Sequence, residues 1–169
     1  IQAGKDVFGK SKTGTGKTLA FLLPMIDEIV KNNFSRPQQK TAPLLILEPT
    51  RELASHVTRE LEKLCPQLRA VTVYGGTSYD PQRNALRNGV HVCVATPGRL
   101  IDLVESGAVD LSATHRVVLD EADEMLKFGF QQAIEQILQR CSVDRQTILF
   151  SATLSKTISN IVRNYTNDV

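Results

Sequence analysis

Short apolar runs alternate along this chain with longer segments whose apolar residues recur every three or four positions. The runs are Leu44–Glu48, Arg69–Tyr74, His91–Ala95, His115–Leu119 and Gln146–Phe150, with Asp6–Gly9 as the end of a first one. Helices are expected between them at Gly16–Asn32, Thr50–Cys65, Asp80–Asn88 and Pro97 to about Ser106. Others are expected at Glu121–Lys127, Gln131–Cys141 and Ser155–Tyr165. A strand that re-enters a sheet after a helical crossover runs in the same direction as its predecessor. The fold expected is therefore α/β, an open and mostly parallel sheet with helices on both faces. In the first helix Leu19, Leu22, Leu23, Ile26 and Ile29 or Val30 share the helical spacing, and Pro24 is expected to kink or interrupt it. Asn33–Pro43 is polar, contains Pro37 and Pro43, and reads as a surface loop.

The 169 residues amount to one domain, and 41% hydrophobic with 22% charged is a globular composition. No apolar run is long enough to span a bilayer, so no membrane segment is expected. Cys65, Cys93 and Cys141 are odd in number and far apart, which argues against a disulfide framework and fits a reducing, intracellular setting. No charged-then-apolar leader opens the chain, and with Ile1 first the expectation is an internal piece of a longer protein. His56, His91 and His115 have no metal or catalytic spacing and read as surface or strand residues. A net charge of +2 does not by itself announce nucleic acid, so any such role must come from motifs.

Between the first strand and the first helix lies Ser11-Lys12-Thr13-Gly14-Thr15-Gly16-Lys17-Thr18. Glycines let backbone N–H groups wrap phosphates closely, and a helix N-terminus adds its partial positive charge. Thr13, Gly14, Thr15, Gly16, Lys17 and Thr18 are the candidate nucleotide-binding residues. Lys17 suits β and γ phosphates and the Thr18 hydroxyl suits Mg²⁺. Ser11 replaces the first glycine of the usual pattern. A second element follows the run Val117–Leu119, which delivers Asp120, Glu121, Ala122 and Asp123. Asp120 is the candidate metal-side carboxylate, acting through water because Mg²⁺ dehydrates reluctantly. Glu121 is the candidate general base for the attacking water. Together Lys17, Asp120 and Glu121 form the candidate catalytic set. Without the phosphate loop, the acids would read only as a favourable first helical turn.

Asp-Glu-Ala-Asp at 120–123 resembles the signature of the DEAD-box RNA helicases. The resemblance extends over the whole length. Thr13–Thr18 is similar to the family's first motif and Pro49-Thr50-Arg51-Glu52-Leu53 to its Ia motif. Gly75-Gly76 resembles its double glycine, Thr96-Pro97-Gly98-Arg99 its Ib motif and Ser151-Ala152-Thr153 its third motif. Glu48 and Ser11 both stand where the family commonly has alanine. The resemblance implies the first of two RecA-like domains, spanning 1–169 and truncated at its N-terminus. The adenine-reading glutamine would lie upstream, a role Gln2 does not take, and the second domain with its arginine fingers would lie beyond the chain. It implies ATP and Mg²⁺, single-stranded RNA held by its backbone, and ATP hydrolysis coupled to local duplex separation. The fragment alone is then expected to hydrolyse ATP very poorly. An ATP-dependent RNA clamp without productive unwinding is the alternative, and a DNA-acting helicase is disfavoured by the motifs.

Pro49, Thr50, Arg51, Gly75, Gly76, Thr96, Pro97, Gly98 and Arg99 are the candidate RNA contacts. Hydroxyls, backbone N–H groups and two arginines suit phosphate and 2′-OH groups rather than base edges. Few aromatics (5%) argue against a base-stacking platform. Thr50 and Thr96 also read as helix caps, with Pro97 at a first helical position. The arginines also read as surface ion-pair partners. Ser151 and Thr153 are expected to hydrogen-bond Asp123 across adjacent strand ends. The resemblance implies that this link couples ATP to RNA-driven closure; the plainer reading is an N-cap.

Overall fold

The computed structural model describes residues 1–12 and 16–167. Six strands form one sheet in the order β1-β6-β5-β2-β4-β3, and every neighbouring pair is parallel. They are β1 Val7–Lys10, β2 Leu44–Leu47, β3 Ala70–Val73, β4 Val92–Ala95, β5 Arg116–Leu119 and β6 Gln146–Ser151. The helices are α1 Lys17–Lys31, α2 Arg51–Leu64, α3 Tyr79–Arg87, α4 Pro97–Glu105, α5 Ala122–Lys127, α6 Gln131–Arg140 and α7 Lys156–Tyr165. A short 3₁₀ turn at Leu111–Ala113, which the periodicity does not reveal, precedes β5.

Strand residues alternate between two cores. Leu44, Ile46, Val92, Val94, Val118, Ile148 and Phe150 face α1 and α2. Leu45, Leu47, Cys93, Ala95, Val117, Leu119 and Leu149 face α3 to α7. Both faces are therefore covered, which is why β2 and β4 read as unbroken apolar runs rather than alternating ones. Each fully buried Leu or Ile contributes about 1.5–3 kcal/mol relative to an exposed one.

Helix α1 runs through Pro24 without the interruption that proline was expected to cause. Proline deprives the carbonyl four residues earlier of its partner, and that residue, Ala20, is exposed, so water can supply the bond. The buried face of α1 is Phe21, Leu22, Met25 and Ile29, whereas Leu19, Leu23 and Val30 of the expected stripe are exposed. His91, open to a surface or a strand reading, is buried at the foot of β4. Its buried ring accepts from the Arg69 N–H at Nδ1 (2.8 Å) and bonds the Ser35 carbonyl at Nε2 (3.2 Å).

Because all six strands are parallel, their carboxyl ends share one edge. Every motif singled out above follows a strand end, where ligands of open α/β sheets bind. Gly9 is needed in β1 because a Cβ there would meet the Phe150 ring at 2.5 Å. That ring contacts Phe21 (centroids 5.9 Å apart) and lies 6.0 Å below the Lys17 ammonium.

Candidate functional site

Gly16 takes a left-handed conformation (φ 76°) as the N-cap of α1, a backbone state that strains any side chain. Lys17 opens the helix immediately after it. Thr13, Gly14 and Thr15, the core of the expected phosphate wrap, lie outside the described residues. The Lys17 ammonium reaches across β6 to Asp120 at the end of β5, with Nζ–Oδ1 2.9 Å. Both side chains are nearly buried, at 10% and 7% exposure. The phosphate-loop lysine and the first acid of the signature thus converge in three dimensions, as the motif reading requires.

Glu121 is buried and serves as the N-cap of α5 with φ 53° and ψ 50°. A glutamate in the left-handed region is uncommon, and such strain, about 1–3 kcal/mol, persists where surrounding structure demands a particular side-chain direction. Here the helix starts one residue later than expected, and the displaced residue is the one assigned the base role. Two residues on, Asp123 accepts from the Thr153 hydroxyl (Oγ1–Oδ2 3.3 Å), joining the ends of β5 and β6. Ser151 does not bond Asp123 directly. Its buried hydroxyl donates to the Thr153 carbonyl (2.7 Å) and so fixes the turn that presents Thr153. The N-cap of α7 is Ser155, accepting from Ile158 N–H at 3.2 Å, which leaves Ser151 and Thr153 outside the capping role.

One acid in this site was not singled out from the sequence. Glu48 follows β2 and is wholly buried; no amide, hydroxyl or ammonium among the described residues donates to its oxygens, and its carboxyl shares a hydrogen bond with Asp120. The register Leu47↔Leu119 sets it level with Asp120 on the adjacent strand. Burial pushes its carboxyl well above the ordinary range, the charge of Asp120, a hydrogen bond shared with Asp120 and then the charge of Glu121 push it further, and Lys17 opposes them. The signal was available, since an apolar strand delivering an acid is the rule that selected Asp120.

The remaining strand ends behave differently. The Thr50 hydroxyl caps α2 by accepting from Leu53 N–H (3.2 Å), and Pro49 is buried. Arg51 is exposed and stacks on the Tyr74 ring, 4.6 Å from its centroid. Gly75 and Gly76 are exposed, with Gly76 at φ 79°. Thr96 precedes α4 but its side chain does not cap it, and its backbone N–H bonds the Val73 carbonyl at 2.8 Å. Pro97 is buried at the first helical position and Gly98 is half-buried. Arg99 is 7% exposed rather than presented to solvent. Its guanidinium donates to Gln82 Oε1 (3.1 Å) and the Thr77 carbonyl (2.7 Å) and lies 3.8 Å from the Tyr79 ring centroid. It braces the loop that carries the two glycines, and it is not a surface ion-pair partner.

Among the described residues no three His, Cys, Asp or Glu side chains could hold a metal alone, and no helix is long and apolar enough to cross a membrane. The hard oxygens of Thr18 and Asp120 do suit Mg²⁺, which keeps water and phosphate oxygens as its other ligands.

A profile of the DEAD/DEAH box helicase family matches residues 1–161. The chain belongs to that family. It is 47% identical over 167 residues to "DEAD-box ATP-dependent RNA helicase 3A, chloroplastic" of Zea mays, an alignment covering 98% of this chain and 22% of the relative. It is 46% identical over 165 residues to "DEAD-box ATP-dependent RNA helicase 9, mitochondrial" of Arabidopsis thaliana, covering 98% and 27%. The crystal structure of the yeast DEAD-box splicing factor Prp28 superposes with a TM-score of 0.87 at 32% identity, over 96% of this chain and 40% of that one. The chain therefore spans about a quarter of the curated relatives it matches, and its six-stranded parallel sheet is the RecA-like fold of the family.

Proposed function

We propose that this DEAD-box chain is the first RecA-like domain of an ATP-dependent RNA helicase, working with a second such domain inside a cell or organelle. The observation that carries the reading is the Lys17–Asp120 contact at 2.9 Å, with Glu121 held beside it in a left-handed turn. Lys17 exchanges Asp120 for the β and γ phosphates of ATP. Thr18 and Asp120 would hold Mg²⁺, Asp120 through water, and the bound ion would neutralise charge developing on the phosphate oxygens. Glu121 orients the attacking water and takes its proton. The water oxygen bonds the γ phosphorus, the bridging oxygen leaves on the β phosphate, and ADP and phosphate result. Cations that stabilise the transition state come from the second domain, an effect worth about 10³–10⁵ in related nucleotide hydrolases.

On the same reading, Arg51, Gly75 and Gly76 meet the backbone of single-stranded RNA, together with backbone groups at Thr50, Thr96 and Gly98. Pro49 and Pro97 shape the two turns. Arg99 is a positioning residue for the Gly75-Gly76 loop. Thr153 on Asp123, set by Ser151, links the ATP side to domain closure. The test is ATP turnover by the intact protein with RNA, with DNA and with neither. Selective stimulation by RNA together with strand separation supports the helicase. RNA binding that depends on ATP without separation supports a clamp, and equal stimulation by DNA removes the RNA assignment.

A further inference from the structure

Glu48 is the least explained group in the molecule. A carboxyl in a wholly buried position carries a large desolvation penalty unless partners repay it. No amide, hydroxyl or ammonium among the described residues donates to its oxygens. Its neighbours are instead two further acids, Asp120 and Glu121, with Lys17 as the nearby cation and already paired to Asp120 at 2.9 Å. A purely structural residue at this strand end would do better without the carboxyl. Its one hydrogen bond is shared with the Asp120 carboxyl and uses one of its two oxygens, so the other is left for a partner that arrives with the ligand.

Which partner follows from placement. The ends of β2 and β5 are neighbours in register, and the Asp120 N–H bonds the Leu47 carbonyl at 3.0 Å, so Glu48 lies beside Asp120. Asp120 is the metal-side acid on the reading above, on which this inference rests. Mg²⁺ retains several waters, each with hydrogens that need acceptors.

We propose that Glu48 is a positioning residue for the divalent cation, its carboxyl oxygen accepting a hydrogen bond from cation-bound water beside Asp120. The role needs an acceptor oxygen and not a particular charge. Groups that orient metal ligands from behind them change metal affinity by about 10–100-fold when removed. The proposal gives Glu48 a place in binding and none in the bond-breaking step.

The experiment is a Mg²⁺ titration of the intact protein with a fluorescent non-hydrolysable ATP analogue, beside the same analogue in excess chelator. Glu48→Ala should raise the Mg²⁺ concentration at half-saturation about tenfold or more. Binding in chelator should stay within about twofold, because Lys17 and the phosphate loop are intact. Glu48→Gln keeps an acceptor oxygen in the same shape and should restore most of the Mg²⁺ response. Glu48→Leu fills the volume without an acceptor and should behave as alanine does, which keeps the test open if the alanine variant fails to fold. An unchanged Mg²⁺ midpoint in the alanine or leucine protein overturns the proposal. So does a glutamine variant as impaired as alanine. If the unmodified protein binds the analogue equally well with and without Mg²⁺, the magnesium–triphosphate reading itself fails and takes this inference with it.

Discussion

Over β1, β6 and β5 the strand ends carry charged side chains that are buried or nearly so, namely Lys17, Asp120 and Glu121, with Lys17 paired to Asp120. Glu48, at the end of the adjoining β2, belongs with them. Over β4 and β3 the motif residues are mostly occupied with holding the backbone. Thr96 and Pro97 are buried at a helix start and Arg99 is locked under the loop after β3. The first half keeps electrostatic imbalance in place, as a site does when its ligand supplies the missing charge. The second half presents glycine backbone and one exposed arginine, Arg51, on a braced scaffold. Chemistry needs preset charge, whereas gripping a repetitive phosphate backbone needs a well-placed surface.

This contrast can be attacked from the ATP half first. Glu121→Gln should lower RNA-stimulated turnover by about 10²–10⁴ while nucleotide binding persists. A protein that hydrolyses ATP at the unmodified rate removes Glu121 from the base role. The two arginines give the next test. Arg99→Ala removes one buried and one part-buried hydrogen bond and a ring contact, and should cost about 2–4 kcal/mol of stability, read by denaturant unfolding. Arg51→Ala should leave unfolding within about 0.5 kcal/mol and weaken RNA binding several-fold, with a shallower salt dependence. If Arg99→Ala leaves stability intact while abolishing RNA binding, the division between bracing and contact is wrong. Replacing Ser151 and Thr153 by alanine should preserve binding of both ligands and separate hydrolysis from unwinding. Parallel loss of both activities in a normally folded protein argues against a coupling role.

The opposite edge of the sheet offers a reference far from either half. There the Glu28 hydrogen bond holds the His115 imidazolium above its ordinary pKa, against the effect of partial burial. Burial alone would raise the Glu28 carboxyl, yet His115 and Arg116 bring it below its ordinary value. The histidine's contribution is full below its unfolded pKa, about 6.5, and fades as pH rises through the higher folded value. The carboxylate's contribution is present above about 4.5 and fades as pH falls through the lower folded value. His115→Ala should therefore destabilise more at pH 5.5 than at pH 8, by no more than about 1 kcal/mol because the ring is half exposed. A larger penalty at pH 8 reverses the sign and removes the pair as its cause.

Much of this was readable from letters alone, because the apolar periods of a doubly covered parallel sheet are strong. Each strand and helix begins and ends within one residue of the expected span. The convergence of Lys17 with Asp120 was also readable, since topology carries both to one edge. What periodicity missed depended on where individual atoms point. Pro24 was expected to disturb α1, but the carbonyl it strands belongs to exposed Ala20. Arg99 looked like a phosphate ligand because its type and position fit, and only its contacts to Gln82, Thr77 and Tyr79 show it turned inward. Glu48 was read only as standing where the family commonly has alanine, because the cost of a buried acid is visible only once its neighbours are known. Thr13, Gly14 and Thr15 remain a sequence inference.

The internal pairing of Lys17 with Asp120 also bears on how the two ligands meet. A polyphosphate arriving alone must draw the ammonium away and strand a buried carboxylate, so part of its attraction is cancelled. Arriving with a divalent cation it strands nothing, since the carboxylate gains a new counter-charge as it gives up the old one. Each ligand then tightens the other by the same factor, as linkage requires. Saturation measured with one withheld will understate what the pair achieves together.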